Sequence, residues 1–131
     1  MILGVWDFLN WYIKIIVIML VFVCHELLHI VVVCRLGDIS LTHSGIYFWL
    51  NSDAVLSKRR FWMFMSLPLI VLTVIPLCLL PFVKGVIFDG LLYVLWTNAI
   101  IAGADIINSV LIMIKPAKAV FYRGYYKVDG E

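Results

Sequence analysis

Three apolar runs, each long enough to cross a bilayer, constrain this chain more than any other feature. They cover residues 15–34, 61–83 and 91–114. Lys14 and Arg35 bracket the first, and the basic cluster Lys58-Arg59-Arg60 precedes the second, which stops at Lys84. Asp89-Gly90 and Lys115-Pro116 bracket the third. About 20 consecutive apolar residues are needed to span the hydrocarbon core. Composition agrees, because 14% of the 131 residues are charged against about 25% in soluble domains. So few charges cannot cover the surface of so small a globule, and the lipid bilayer is the expected solvent. The sequence predicts an all-α membrane protein, one domain over residues 1–131, with three transmembrane helices. A net charge of +2 gives no reason to expect a nucleic-acid partner. The three cysteines, an odd number set in or beside the apolar runs, do not form a disulfide framework.

The first run does not read as a secretory signal, since no basic residue precedes Lys14 and no small-residue cleavage site follows. Trp6, Trp11 and Tyr12 make residues 1–12 an interfacial lead-in, because aromatic rings favour the lipid–water boundary. With three spans, eight Lys and Arg fall on the side of loop 35–60 and the C-terminal tail, and two on the other. That imbalance places the N-terminus outside and the C-terminus in the cytoplasm of a multi-pass cell-membrane protein. Between the first two spans, residues 39–43 and 46–50 flank Ser44-Gly45 and predict a short β-hairpin at the cytoplasmic interface. Its edge could pair with an extended substrate strand or simply anchor in the headgroups. Pro68 and Pro76 are expected to kink or break the second helix.

The first span contains His25-Glu26-Leu27-Leu28-His29. Residues four apart share a helix face, so both imidazoles can bind one metal ion while Glu26 serves as general base toward a water held there. This is the HExxH pattern of zinc metalloproteases. A carboxylate near the bilayer centre costs about 2.5–3.5 kcal/mol even on mild scales, which favours a functional reading over helix packing. Catalytic zinc takes three protein ligands, and the only other carboxylate in the three runs is Asp105. Depth supports it. His25 and His29 lie about 15 and 21 Å below Ile15, and Asp105 about 21 Å below Leu91, whereas Asp89 sits at the outer mouth of the third span. Zn²⁺ with neutral His25 and His29 and ionised Asp105 and Glu26 sums to zero charge, as a low-dielectric site requires. Elsewhere, His43 reads as a solvated hairpin-tip residue, Cys24 as a buried thiol, and Asp89-Gly90 as a polar turn.

These features together resemble the three-helix core of site-2-protease-type intramembrane metalloproteases. A closer likeness is to small bacterial integral-membrane zincin peptidases, which show small residues before the third-helix Asp and a Pro-Lys-Ala-like stretch after it. Gly103-Ala104-Asp105 and Pro116-Ala117-Lys118-Ala119 are similar here. The resemblance implies that Asn98, seven residues before Asp105, steadies substrate or the oxyanion; a helix–helix hydrogen bond is the alternative.

The expected function is therefore zinc-dependent hydrolysis of peptide bonds in a membrane protein or peptide, within or beside the bilayer. The competing expectation is a non-catalytic membrane metal-binding protein for sensing, transport or partner regulation, but such a site has no need of Glu26. So short a chain forms a thin shell around a polar site, leaving room for a homo-oligomer or a partner subunit.

Overall fold

The computed structural model describes residues 11–45, 47–122 and 125–128; the part of the expected interfacial lead-in before Trp11 lies outside them. Helix α1 runs Trp11–Val33 without interruption. A two-stranded antiparallel hairpin follows, β1 (Ile39–Ser44) on β2 (Tyr47–Ser52), with Ile39 opposite Ser52. Gly45 takes a φ of 61° in its turn, the left-handed region that glycine enters without steric cost. A short strand β3 (Leu56–Ser57) leads into helix α2 (Lys58–Leu69), capped by the Ser57 hydroxyl accepting from the Arg60 N–H.

Pro68 and Pro76 do not split the second apolar run. A π-helical turn at Ile70–Val74, a short helix α3 (Ile75–Leu79) and a 3₁₀ turn at Leu80–Phe82 carry the same rod onward, so that Lys58–Phe82 is long and apolar enough to cross a membrane. The wider π turn absorbs the register lost where proline supplies no N–H.

The sharp bend falls in the third run instead. Helix α4 (Val86–Ile101) and helix α5 (Gly103–Met113) meet at 61°. Ala102 leaves helical geometry there (φ −75°, ψ 6°), and Gly103, a poor helix former, begins the next segment. The described residues thus hold two helices able to cross a membrane, or three if the bent pair counts as one span.

Asp89-Gly90 is not the turn that its composition predicts. Gly85, at φ 63°, makes the turn, and Asp89 falls in the first turn of α4, where a carboxylate complements the helix dipole. Tyr93 donates its hydroxyl to the Lys14 carbonyl at 3.4 Å, tying the start of α4 to the start of α1.

The expectation of one hairpin in an otherwise all-α chain needs correction. After α5, β4 (Ala119–Tyr122) and β5 (Tyr125–Val128) form a second hairpin, and β3 adds to its edge to make a three-stranded sheet. Short alternating strands rich in aromatic and β-branched residues suit a half-buried sheet face. Phe61 of α2 joins this sheet to the helices: its ring stacks on Phe121 at 4.5 Å and lies 6.1 Å from Phe64. Lys58 donates its ammonium to the carbonyls of Met113 and Lys115, satisfying the free end of α5 from the start of α2.

Candidate metal centre

The HExxH segment lies in the second half of α1, and spacing by four turns both imidazoles inward. His25 and His29 are buried, while Glu26 between them is half-buried. Asp105 comes from the first turn of α5, just past the bend, and is partly buried. The His25 Nε2 and His29 Nε2 atoms stand 3.2 Å apart. The Asp105 Oδ2 atom is 2.9 Å from the first and 3.2 Å from the second. Among the described residues these three form the cluster able to hold a metal ion. His43 is exposed on β1 and Asp89 lies far up α4, so neither joins them.

The other side of each imidazole is held by the fold. His25 Nδ1 lies 2.9 Å from the Asn98 Oδ1 atom. Asn98 is fully buried, and its amide nitrogen donates to the Pro68 carbonyl at 3.2 Å and to the Thr73 hydroxyl at 2.9 Å. Both amide protons are thereby used, the oxygen faces His25, and the His25 Nδ1 must carry the proton. His29 Nδ1 donates to the Phe64 carbonyl at 2.7 Å. Proline at 68 supplies no N–H four residues on, so this carbonyl is released from the helical ladder.

Both Nδ1 protons are thus committed outward, and the two Nε2 lone pairs and the carboxylate converge. Three acceptors at 3 Å repel one another unless a positive centre sits among them. A proton serves one pair, whereas a metal ion serves all three. Donors bound to tetrahedral zinc at about 2.0–2.1 Å stand about 3.3 Å from each other, close to the observed triangle. Two imidazoles and a carboxylate are also a zinc-type donor set that leaves a fourth position for water. The residues present fit the ion. Histidines backed by carbonyl-type acceptors complete the arrangement of orienting partners usual at metal sites.

Glu26 is the fourth chemical group. No hydrogen bond or ion pair to a described residue engages its carboxylate, which leaves it available to accept a proton. Asn98, placed by the sequence either at the substrate or in a helix–helix hydrogen bond, makes such bonds across three helical segments. The Phe64 carbonyl and Thr73 carried no sequence signal. Their part is set by which faces of the helical rod meet α1 and α4.

A helix bearing HExxH, completed by a carboxylate from a separate helix, has the plan of a zincin-type site. Residues 18–120 match the model of a family described as "putative zincin peptidase", and the chain belongs to that family. Neither the curated proteins nor the solved structures gave a match.

Proposed function

We propose that this chain is a zinc-dependent membrane peptidase that hydrolyses peptide bonds within or beside the bilayer. The observation that carries the reading is the triangle of His25 Nε2, His29 Nε2 and Asp105 Oδ2, with every Nδ1 proton directed away from it. His25, His29 and Asp105 would hold the zinc ion, which when bound acidifies water and polarises a carbonyl. Glu26 takes the proton from the attacking water and returns it to the leaving amine. Its freedom from hydrogen bonds and ion pairs among the described residues favours hydrolysis over a purely metal-storing site.

Two surfaces support the membrane setting. Large apolar side chains stand exposed along the helices, with Leu20 at 58%, Trp96 at 62% and Ile100 at 79%. Soluble monomers rarely expose apolar patches beyond a few hundred Å², whereas lipid covers them without penalty. Lys and Arg cluster at the end of the bundle that carries the loop after α1 and the tail after α5, which supports a cytoplasmic position for that end. His29 lies about 6 Å of helix rise from the end of α1 at Val33, so cleavage falls near the cytoplasmic boundary. A helical substrate hides its carbonyls in hydrogen bonds and must unwind there before attack.

The test is zinc stoichiometry on the purified wild type and Glu26→Gln, beside cleavage of membrane-protein substrates. One zinc per chain in both, with cleavage by the wild type alone, supports the reading. A wild type that binds no zinc overturns it.

A further inference from the structure

At the basic end of the bundle, the last turn of α1, the residues just after it and α2 line a groove of about 560 Å³. Val31, Val32, Leu36, Met63 and Leu67 give it an apolar floor, and Arg35, just past α1, and Arg60, in α2, also line it. Both arginines are exposed, and neither guanidinium pairs with a carboxylate among the described residues. Neighbouring cations differ. Lys58 is held by two carbonyls, and Lys115 sits 4.3 Å over the Tyr126 ring. Two guanidiniums brought to one groove without an acid leave a positive site facing outward.

Depth gives the groove a direction. Val31 lies about 3 Å of helix rise inward from the end of α1 at Val33, with Arg35 beyond that end, and Met63 and Leu67 lie about 4.5 and 10.5 Å inward from Arg60. The charge therefore sits at the membrane boundary and the apolar floor runs away from it into the hydrocarbon.

We propose that this groove binds one anionic phospholipid of the phosphatidylglycerol kind. Arg35 and Arg60 hold its phosphate, and an acyl chain lies over Val31, Met63 and Leu67. Guanidinium forks match phosphate oxygens geometrically, and basic pockets between helices on the cytoplasmic side suit anionic headgroups. A free phosphate gains nothing from the floor, and a zwitterionic headgroup brings its own cation to the arginines. The lipid would also brace the α1–α2 pair, across which His29 reaches the Phe64 carbonyl.

The proposal rests on the membrane reading, and the two fail differently. Recovery of the full chain as a soluble protein overturns both, whereas a membrane-embedded chain without lipid preference overturns this one alone. The experiment is native mass spectrometry of zinc-loaded protein taken from bilayers of equal phosphatidylglycerol and phosphatidylcholine. One phosphatidylglycerol per chain is expected, retained against a large excess of inorganic phosphate. Its occupancy should fall roughly tenfold or more in Arg35→Gln/Arg60→Gln and persist in Arg59→Gln. Equal retention of both lipids, displacement by phosphate, or full occupancy in the double variant overturns the proposal. A second measurement needs no arginine change. Cys34 lines the same groove, and in Cys24→Ala/Cys78→Ala protein its alkylation should slow several-fold in phosphatidylglycerol relative to phosphatidylcholine. Equal rates in the two lipids would again overturn the assignment.

Discussion

The carbonyl of Phe64 accepts the Nδ1 proton of His29 at 2.7 Å across the α1–α2 interface. It can do so because residue 68 is proline and offers no competing N–H. A helix-breaking residue thus supplies an orienting partner for a metal ligand. Pro68→Ala should restore the ladder bond, draw the carbonyl back along α2 and loosen the His29 ring. Zinc affinity should fall about 10-fold or more, the range for loss of an orienting partner, while helix content stays unchanged. Competition with a chromophoric chelator measures it, and wild-type affinity would refute the role given to Pro68.

Asn98 does for His25 what Phe64 does for His29, with a full set of hydrogen bonds behind it. Asn98→Ala removes the acceptor at His25 and leaves the Pro68 carbonyl and Thr73 hydroxyl unpaired. The expected loss in zinc affinity is about 10–100-fold. Thr73→Val removes one acceptor of the Asn98 amide and should cost about 1 kcal/mol, a clearly smaller drop in the same assay. If Thr73→Val equals Asn98→Ala, the chain of contacts from Thr73 to His25 is misdrawn.

Glu26 makes no hydrogen bond to the ligand-orienting groups, so its role can be separated from metal binding. Glu26→Gln should keep near-stoichiometric zinc and lose about 10²–10⁴-fold in turnover, because an amide cannot accept the proton of water. Metal analysis beside a cleavage assay reads both. Wild-type turnover in this variant would remove the general-base assignment.

What could be read from the sequence was the part carried by rare residues in apolar surroundings. His25, Glu26, His29 and Asp105 are conspicuous because nothing else of their kind interrupts the apolar runs, and the fold brings the two imidazoles and the Asp105 carboxylate together. The Phe64 carbonyl was not legible, since a backbone carbonyl has no letter of its own, and Asn98 carried a signal that did not specify His25 as its partner. The bend at Ala102 was also hidden: the prolines that advertise a break lie in the other rod, where a π turn absorbs them. The second sheet left a readable trace in Ala119–Tyr122 and Tyr125–Val128, two strand-like segments beside Arg123-Gly124.

Orientation in the bilayer can be checked on residues at opposite ends of the second rod. Ser57 caps the start of α2, and Lys84 lies exposed beyond its far end. After replacement of the three native cysteines, all exposed, Lys84→Cys should react with an impermeant thiol reagent added outside intact cells. Ser57→Cys should react only after the cells are opened. The reverse pattern would invert the topology drawn from the Lys and Arg count.

The third ligand offers the sharpest test, because two aspartates compete for it on one bent helix pair. Asp89 belongs to the first turn of α4 beside Gly85, and Asp105 to the first turn of α5. About 20 Å of α4 separates Asp89 from the bend at Ala102, while a zinc–carboxylate bond is about 2 Å. The bend turns the chain without shortening that rise enough to matter. Asp105 also stands within 3.2 Å of both imidazoles, so its removal leaves two neutral donors and takes away the ligand charge that offsets the ion. Asp105→Ala should therefore lower zinc occupancy sharply and abolish cleavage. Asp89→Ala should leave occupancy near wild type and cost only the helix-dipole contribution of about 0.3–1 kcal/mol in stability. Metal analysis after dialysis, run on both variants beside a thermal unfolding curve, distinguishes the two. Loss of metal in Asp89→Ala with retention in Asp105→Ala would mean that the ligand set is wrong.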